Sequence, residues 1–286
     1  MAGLPGDKPL AIVAGDGDLP RLLAQDCARR ERRFAVVVFG GFQPDWAEHY
    51  TVIEAEFEKP GRMFRQLHEG GFGHVTFAGA MQRPQLRLLR SDFKFLRLAP
   101  TIYSALKDGD DTTLRAITTI FEAEGIEIVG AHDVLENLLA PVGVQTLAKL
   151  SKEDWSDIKR AFAIAKASGK MDVGQGAVVA QGICLGVESI QGTDAMLDWV
   201  ARTGDQYRIN PKGAKGVLAK APKPGQDWRV DLPAVGPATM VAAANAGLAG
   251  VAVQAGGILV LGLEETIEKA NELGLFFVGI TPDEAL

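Results

Sequence analysis

Cysteine is scarce in this chain of 286 residues. Cys27 and Cys184 are far apart and outside any Cys-x-x-Cys spacing. That argues against a disulfide framework or a thiolate zinc site and fits a reducing compartment. Histidine is equally thin: His49, His68, His74 and His132 form no His-x-x-x-His pair, so a histidine-built metal site is not expected. Positive charge is in deficit, with 30 Lys and Arg against 36 Asp and Glu, a net charge of −6. Nucleic-acid affinity comes mainly from cations displacing counterions, so no nucleic-acid partner is expected, although a local basic patch can still hold a small anion. Met1–Pro9 lacks the basic start and apolar run of a signal peptide. One stretch, Leu232–Leu263, has no charge at all and is long enough to span a bilayer. Its many glycines, with Asn245 and Gln254, read instead as helix, strands and turns inside a globular core.

What is present is a globular balance, 47% apolar and 23% charged. It suffices for a core without staples, in one large or two modest domains. The first half alternates short apolar runs with amphipathic segments. Strands are expected at Leu10–Ala14, Ala35–Phe39, Thr51–Glu54, Val75–Ala78 and Ile126–Val129. Helices are expected after Pro20, over Pro60–Glu69, and up to Gly125. Buried strands alternating with helices imply a mainly parallel, doubly wound sheet. The rhythm lapses over 136–149, read as a linker. A helix then starts at Ser151, whose Ser-x-x-Asp pattern with Asp154 is a capping-box variant. Strands and helices of a mixed domain follow to the end. The expected fold is therefore α/β: a Rossmann-like, mainly parallel domain over 1–135 and a mixed α/β domain over 150–286.

Several clusters carry candidate chemistry. Gly15-Asp16-Gly17, between a strand and a helix, opens like a dinucleotide fingerprint, but Pro20 takes the third glycine position and no acid ends the second strand. A nicotinamide site is disfavoured; a loop touching a ligand phosphate or sugar, and a plain tight turn, both stay open. Asp110 and Asp111 precede a helix. One can cap it, and the second exceeds what a cap needs. In Leu86–Leu98, Arg87, Arg90, Lys94 and Arg97 follow one helical rhythm, and Leu86, Leu89, Phe93 and Leu96 follow it one residue earlier. The pattern suits either a helix on an anionic membrane or an ordinary surface helix with a packed apolar face; Pro84 and Pro100 bracket it.

The richest constellation runs from Lys220 to Pro233. Pro224-Gly225 suits the middle of a type II turn. Asp227, Arg229 and Asp231 alternate with Trp228 and Val230, so in extended chain the charged groups share a face. Carboxylates can hold Mg²⁺ or orient water, and Lys220, Lys223 and Arg229 can neutralise phosphate oxygens; a salt-bridged surface strand is the plainer alternative. Upstream lie Asp172-Val-Gly-Gln175 and Glu188, then Gly192-Thr193-Asp194 at a helix start, where capping and phosphate binding compete.

Together these clusters resemble the LpxI-type UDP-2,3-diacylglucosamine pyrophosphatase family of lipid A biosynthesis. The matching residues are Ala14–Pro20, Lys107–Asp111, Asp172–Gln175, Val187-Glu188, Gln191–Met196, and Lys223–Asp227 with Arg229, Asp231 and Pro233. The resemblance spans both expected domains. It implies Mg²⁺-dependent hydrolysis of a lipid-bearing nucleotide sugar to UMP and 2,3-diacylglucosamine 1-phosphate, with water attacking the phosphorus nearer the sugar. It places the protein in the cytoplasm, peripheral on the inner membrane, with an N-terminal domain that helps hold substrate. On that basis Asp227 is expected as the leading metal ligand or water-orienting group. Asp231 and Glu188 are supporting acids, Asp231 also a metal ligand. Lys220, Lys223 and Arg229 clamp phosphate; Asp194, Gln175, Thr193 and Gln226 are weaker candidates, and Gly15, Asp16, Gly17, Asp110 and Asp111 are assigned to substrate. A lipid or nucleotide-sugar binding protein without turnover is the rival, disfavoured by the excess of carboxylates around Asp227. Whether the chain forms a homo-oligomer is left open.

Overall fold

The computed structural model describes residues 8–40, 42, 44–81, 91–107 and 110–284, with backbone alone at 101, 103–107, 110 and 111. The chain divides into two compact units. One runs to Glu136 and also takes in Asp227–Asp231; the other comprises Asn137–Gln226 and the chain from Leu232 onward.

In the first unit, β1 (Leu10–Ala14), β2 (Phe34–Phe39), β3 (Val52–Ala55), β4 (His74–Ala78) and β5 (Glu127–Ile128) form a wholly parallel sheet. Their order is β3-β2-β1-β4-β5, the doubly wound pattern the sequence predicts. Parallel strands covered on both faces must be apolar throughout, and all five residues of β1 are buried. Edge strand β3 alternates instead, with Ile53 and Ala55 inward and Val52 and Glu54 outward. The helices are α1 (Leu19–Arg29), α2 (Pro60–Glu69), α3 (Phe93–Lys107), α4 (Asp110–Ala123) and the short α5 (Ala131–Val134). Pro60 opens α2, where a missing N–H costs nothing, and Met63, Phe64 and Leu67 form its buried face. Burying each such side chain is worth about 1.5–3 kcal/mol. Phe121 meets Phe64 and Phe77 edge-on, at centroid distances of 5.0 and 5.3 Å.

In the second unit, β6 (Gly143–Val144), β7 (Gly176–Ala180), β8 (Ile183–Val187), β9 (Val217–Lys220), β11 (Gly250–Gln254) and β13 (Phe276–Ile280) make a mixed sheet in the order β6-β13-β11-β9-β7-β8. The pair β10 (Ala234–Val235) and β12 (Leu259–Val260) stands apart. Its helices are α6 (Lys152–Lys170), α7 (Gly192–Thr203), α8 (Pro237–Asn245) and α9 (Leu263–Glu272). The capping box at Ser151 forms as read: the Asp154 amide donates to Ser151 Oγ at 3.1 Å, and the Ser151 amide donates to Asp154 Oδ2 at 2.8 Å. Gln181 and Gly182 both have positive φ, the requirement of a two-residue hairpin turn between β7 and β8. Asp157, on the buried side of α6 and 2% exposed, accepts both turn amides at 2.8 and 2.7 Å.

Three sequence readings change, and the reading of Leu232–Leu263 as helix and strands holds. The stretch 136–149 is no free linker: Ala140 donates to Ile258, Val260 to Leu138, and Gln145 to Phe277, binding it into the second unit. Charge-free Leu232–Leu263 resolves into β10, α8, β11 and β12, and among the described residues no helix is long and apolar enough to cross a membrane. Residues 86–90 of the Leu86–Leu98 segment lie outside the described residues. The remainder enters α3, which contains Pro100 rather than ending before it. There Phe93 and Leu96 are exposed while Phe95 is buried, so these two do not form the packed face of an ordinary surface helix. Finally, Asp227–Asp231 is not extended. The amides of Val230 and Asp231 both donate to the Asp227 carbonyl, at 3.1 and 3.0 Å, closing a turn, and the sharing of one face by alternation does not apply.

Candidate active site

β9 lies between β11 and β7 and delivers Lys220 at its carboxyl end. The register pairs Lys220 with Gly176 on β7, and the Glu188 amide donates to the Gly176 carbonyl at 2.9 Å. Lys220 and Glu188 thus flank a residue with no side chain, and they meet over it. A Cβ on Gly176 would lie 2.5 Å from Glu188 Oε2 and 3.5 Å from Lys220 Cγ. Next to it, a Cβ on Gly174 would lie 2.0 Å from the Glu188 carbonyl oxygen, so the backbones touch there.

Lys220 is 4% exposed and Glu188 7%. Charges this deep persist only when paired. Lys220 Nζ donates to Thr193 Oγ1 at 2.8 Å and to the Ala234 carbonyl at 3.3 Å, and stands 3.9 Å from Glu188 Oε2. That last distance is electrostatic contact without a hydrogen bond. Among the described residues, Glu188 Oε2 and Gln175 Oε1 are both buried and have no hydrogen-bond partner. Two buried acceptors left open beside a buried ammonium are what a ligand bearing donors or a cation would satisfy. Thr193 comes from the first turn of α7, whose N-terminus has no side-chain cap among the described residues, a place where helix amides can face an anion. Pro224-Gly225 forms the type II turn expected: Gly225 has φ 81°, and the Gln226 amide donates back to the Lys223 carbonyl at 3.3 Å. Gln226 Oε1 in return accepts from the Lys223 amide at 3.0 Å, and Lys223 Nζ pairs with Asp172 at 2.8 Å.

The first unit holds a separate polar group. Asp227 accepts from the Arg229 amide (3.0 Å), Nε (3.0 Å) and Nη2 (2.7 Å), and Arg229 Nη1 reaches Glu122 on α4 at 2.8 Å. The guanidinium holds the Asp227 carboxyl below the usual carboxylate range. Val230 packs on the core of this unit. Both Asp227 oxygens are engaged, so a cation would have to displace Arg229, and among the described residues no three His, Cys, Asp or Glu side chains are grouped as a metal site. Among the described residues, the buried oxygens without a partner include Glu188 Oε2 and Gln175 Oε1, hard ligands of the kind an Mg²⁺ would take if it drew its other ligands from water and substrate phosphate.

The remaining candidates separate. Asp194 is exposed in the first turn of α7, where its charge suits the helix dipole, and among the described residues its side chain makes no hydrogen bond or ion pair. The side chains of Asp110 and Asp111 lie outside the described residues. Gly15 is explained by packing: its amide donates to the Ala78 carbonyl at 2.7 Å, and a Cβ there would lie 2.5 Å from the Ala80 oxygen. Asp16 and Ala80 exchange amide bonds of 2.7 and 2.9 Å, so β1 and β4 stay joined beyond their ends. Gly17, with φ 97° and open space around it, is the part of that loop that leaves room for a ligand. Burial pushes the Cys27 thiol up to about 11 and raises Cys184, so neither is a ready thiolate. Sequence reasoning did not single out Gly174 or Gly176; their signal was glycine on either side of Gln175, immediately before a strand.

A buried lysine and carboxylate with open acceptor oxygens, at a strand's carboxyl end and beside a helix N-terminus, define an α/β protein that handles an anionic, phosphate-type ligand. The comparisons are more specific. The family model described as LpxI N-terminal domain matches residues 9–138, and that described as LpxI C-terminal domain matches 141–278. The chain is 40% identical over 277 residues to UDP-2,3-diacylglucosamine pyrophosphatase LpxI of Caulobacter vibrioides, covering 97% of this chain and 99% of that protein. It belongs to the LpxI family.

Proposed function

We propose that the chain hydrolyses the diphosphate of UDP-2,3-diacylglucosamine, giving UMP and 2,3-diacylglucosamine 1-phosphate. The near full-length relationship supports the substrate. The observation that carries the chemistry is the buried Lys220–Glu188 pair with acceptor oxygens unfilled. A binder of phosphate alone has little use for a buried carboxylate beside the anion, whereas hydrolysis needs an acceptor that can orient water. In this reading Lys220, Lys223, Thr193 and the α7 amides neutralise the diphosphate oxygens. Glu188 and Gln175 orient the attacking water and supply oxygen ligands for Mg²⁺, which would neutralise charge on the transferring phosphoryl group. Asp227 fixes the Arg229 guanidinium for phosphate. Water attacks the phosphorus nearer the sugar, its oxygen bonds to that phosphorus, and the bridging P–O bond breaks to release UMP. We place the protein at the cytoplasmic face of the inner membrane, where a diacyl substrate resides.

The test is turnover of the lipid nucleotide in water enriched in ¹⁸O, with both products read by mass spectrometry. The label is expected in the lipid phosphate and absent from UMP. Label in UMP would overturn the direction of attack, and no turnover would overturn the activity.

A further inference from the structure

α6 carries a feature that hydrolysis does not use. At about 100° per residue, Lys152, Lys159, Lys166 and Lys170 fall within about 40° of arc. They make one line along one side of the helix's outer face, about 27 Å long at 1.5 Å per residue. Lys152, Lys159 and Lys170 are exposed and Lys166 half-buried, while Ile158, Ala161, Phe162 and Ala165 face the core. Among the described residues, none of the four lysines has an ion-pair or hydrogen-bond partner. Arg160 is exposed beside the line. Of the three acids of α6, Asp154 is spent on the cap and Asp157 on the hairpin turn, both buried, leaving Glu153 alone outside. A protein of net charge −6 thus concentrates unpaired positive charge on one straight face.

We propose that this outer face of α6 docks on an anionic lipid bilayer. Between the lysines lie Ser156, Ala163 and Ala167, too small to hold a flat surface away from the ammonium groups. Trp155 is partly exposed on the flank, and Met171, 76% exposed, and Val173 follow the helix's last residue, exposed apolar groups of the kind that enter a headgroup boundary. A nucleic-acid backbone offers the same charge but nothing for Met171 and Val173 to bury against. The line also ends beside Asp172, the partner of Lys223, so a bilayer on this face adjoins the phosphate-binding group of the same unit. The choice of a bilayer rests on the diacyl substrate proposed above; the charge asymmetry does not.

The experiment uses the full chain and the variant Lys152→Gln/Lys159→Gln/Lys166→Gln/Lys170→Gln. Gln keeps helix propensity close to that of Lys, so α6 should persist, as circular dichroism would verify. A control variant, Arg62→Gln/Arg65→Gln/Lys212→Gln/Lys215→Gln, removes equal charge from exposed positions elsewhere. Partition is measured on phosphatidylcholine vesicles with and without phosphatidylglycerol. A lysine near an anionic surface is worth about a five-fold factor in partition, so two lysines reaching the headgroups give a fall of about twenty-five-fold for the α6 variant. The control should lose far less, and parental binding should fade as salt shortens the Debye length. Turnover is read separately on substrate in neutral detergent micelles. Unchanged micelle turnover with lost vesicle binding supports the inference, whereas absent micelle turnover in the parent indicts the activity and leaves the vesicle result to stand alone. Equal partition of parent and α6 variant, or tighter binding to duplex DNA than to anionic vesicles at the same salt, would overturn it.

Discussion

Gly176→Ala isolates the geometry of the buried pair from its chemistry, because the substitution adds one methyl group and no charge. That methyl would sit 2.5 Å from Glu188 Oε2, where ordinary contact begins at 3.4 Å, so the carboxylate must retreat by about 1 Å. The atom that must move is the end of a flexible side chain. Gly176 has no positive φ, and alanine is tolerated in a strand. The fold should therefore survive with a loss of about 1 kcal/mol or less. Catalysis should not, since a misplacement of about 1 Å can cost on the order of 10²-fold in rate. The neighbouring glycine supplies the contrast. At Gly174 the obstacle is the Glu188 carbonyl, 2.0 Å away, which belongs to the backbone and cannot swing aside. Gly174→Ala should cost stability directly, by about 1–3 kcal/mol or more. The assay pairs steady-state hydrolysis with thermal melts of both variants. A folded Gly176→Ala protein with parental kcat would show that the position of Glu188 does not matter to turnover, and the site would have to be sought elsewhere.

Three further outcomes are expected. Asp227→Ala should lower kcat by about 10²–10³ with a much smaller effect on substrate affinity, as for a group that acts in the transition state; near-parental kcat in a folded variant would refute its role. The depressed Asp227 pKa gives a sign as well: its stabilising contribution is complete above the unfolded carboxyl value near 4 and is lost as pH falls through the lower folded value. The stability gap between parent and Asp227→Asn should therefore be flat at neutral pH and close only in acid. Turnover should also stop after exhaustive chelation and return with Mg²⁺, while undiminished turnover in chelator would remove the metal from the mechanism.

Much of this was legible in the chain. Continuous apolar runs such as Leu10–Ala14 announce parallel strands, and the Ser151–Asp154 and Pro224-Gly225 patterns name their own caps and turns, because each depends on neighbours in sequence. The conformation of Asp227–Asp231 was not legible. Alternation of charged and apolar residues fits a strand, but Asp227 accepts the Arg229 amide and bends its own chain, while Val230 is claimed by the core of the first unit, to which this turn belongs. Nor did periodicity explain Asp157. An acid on the apolar side of an amphipathic helix is a signal, yet its partners are the amides of a hairpin turn more than twenty residues on, and only the assembled sheet brings them together. The open oxygens of Glu188 and Gln175 are likewise a property of packing, invisible to spacing.

Gly15 has a consequence for how short glycine patterns are read. The same letters after a first strand can admit a ligand or let two chains touch, and the loop itself does not say which. The answer lies at the end of the partner strand. Gly79 has positive φ, and a Cβ there would lie 2.4 Å from the Asp16 oxygen, so Gly15 and Gly79 are halves of one crossing. A glycine loop matched by a second glycine at the tip of the adjoining strand is better interpreted as a clasp than as a doorway.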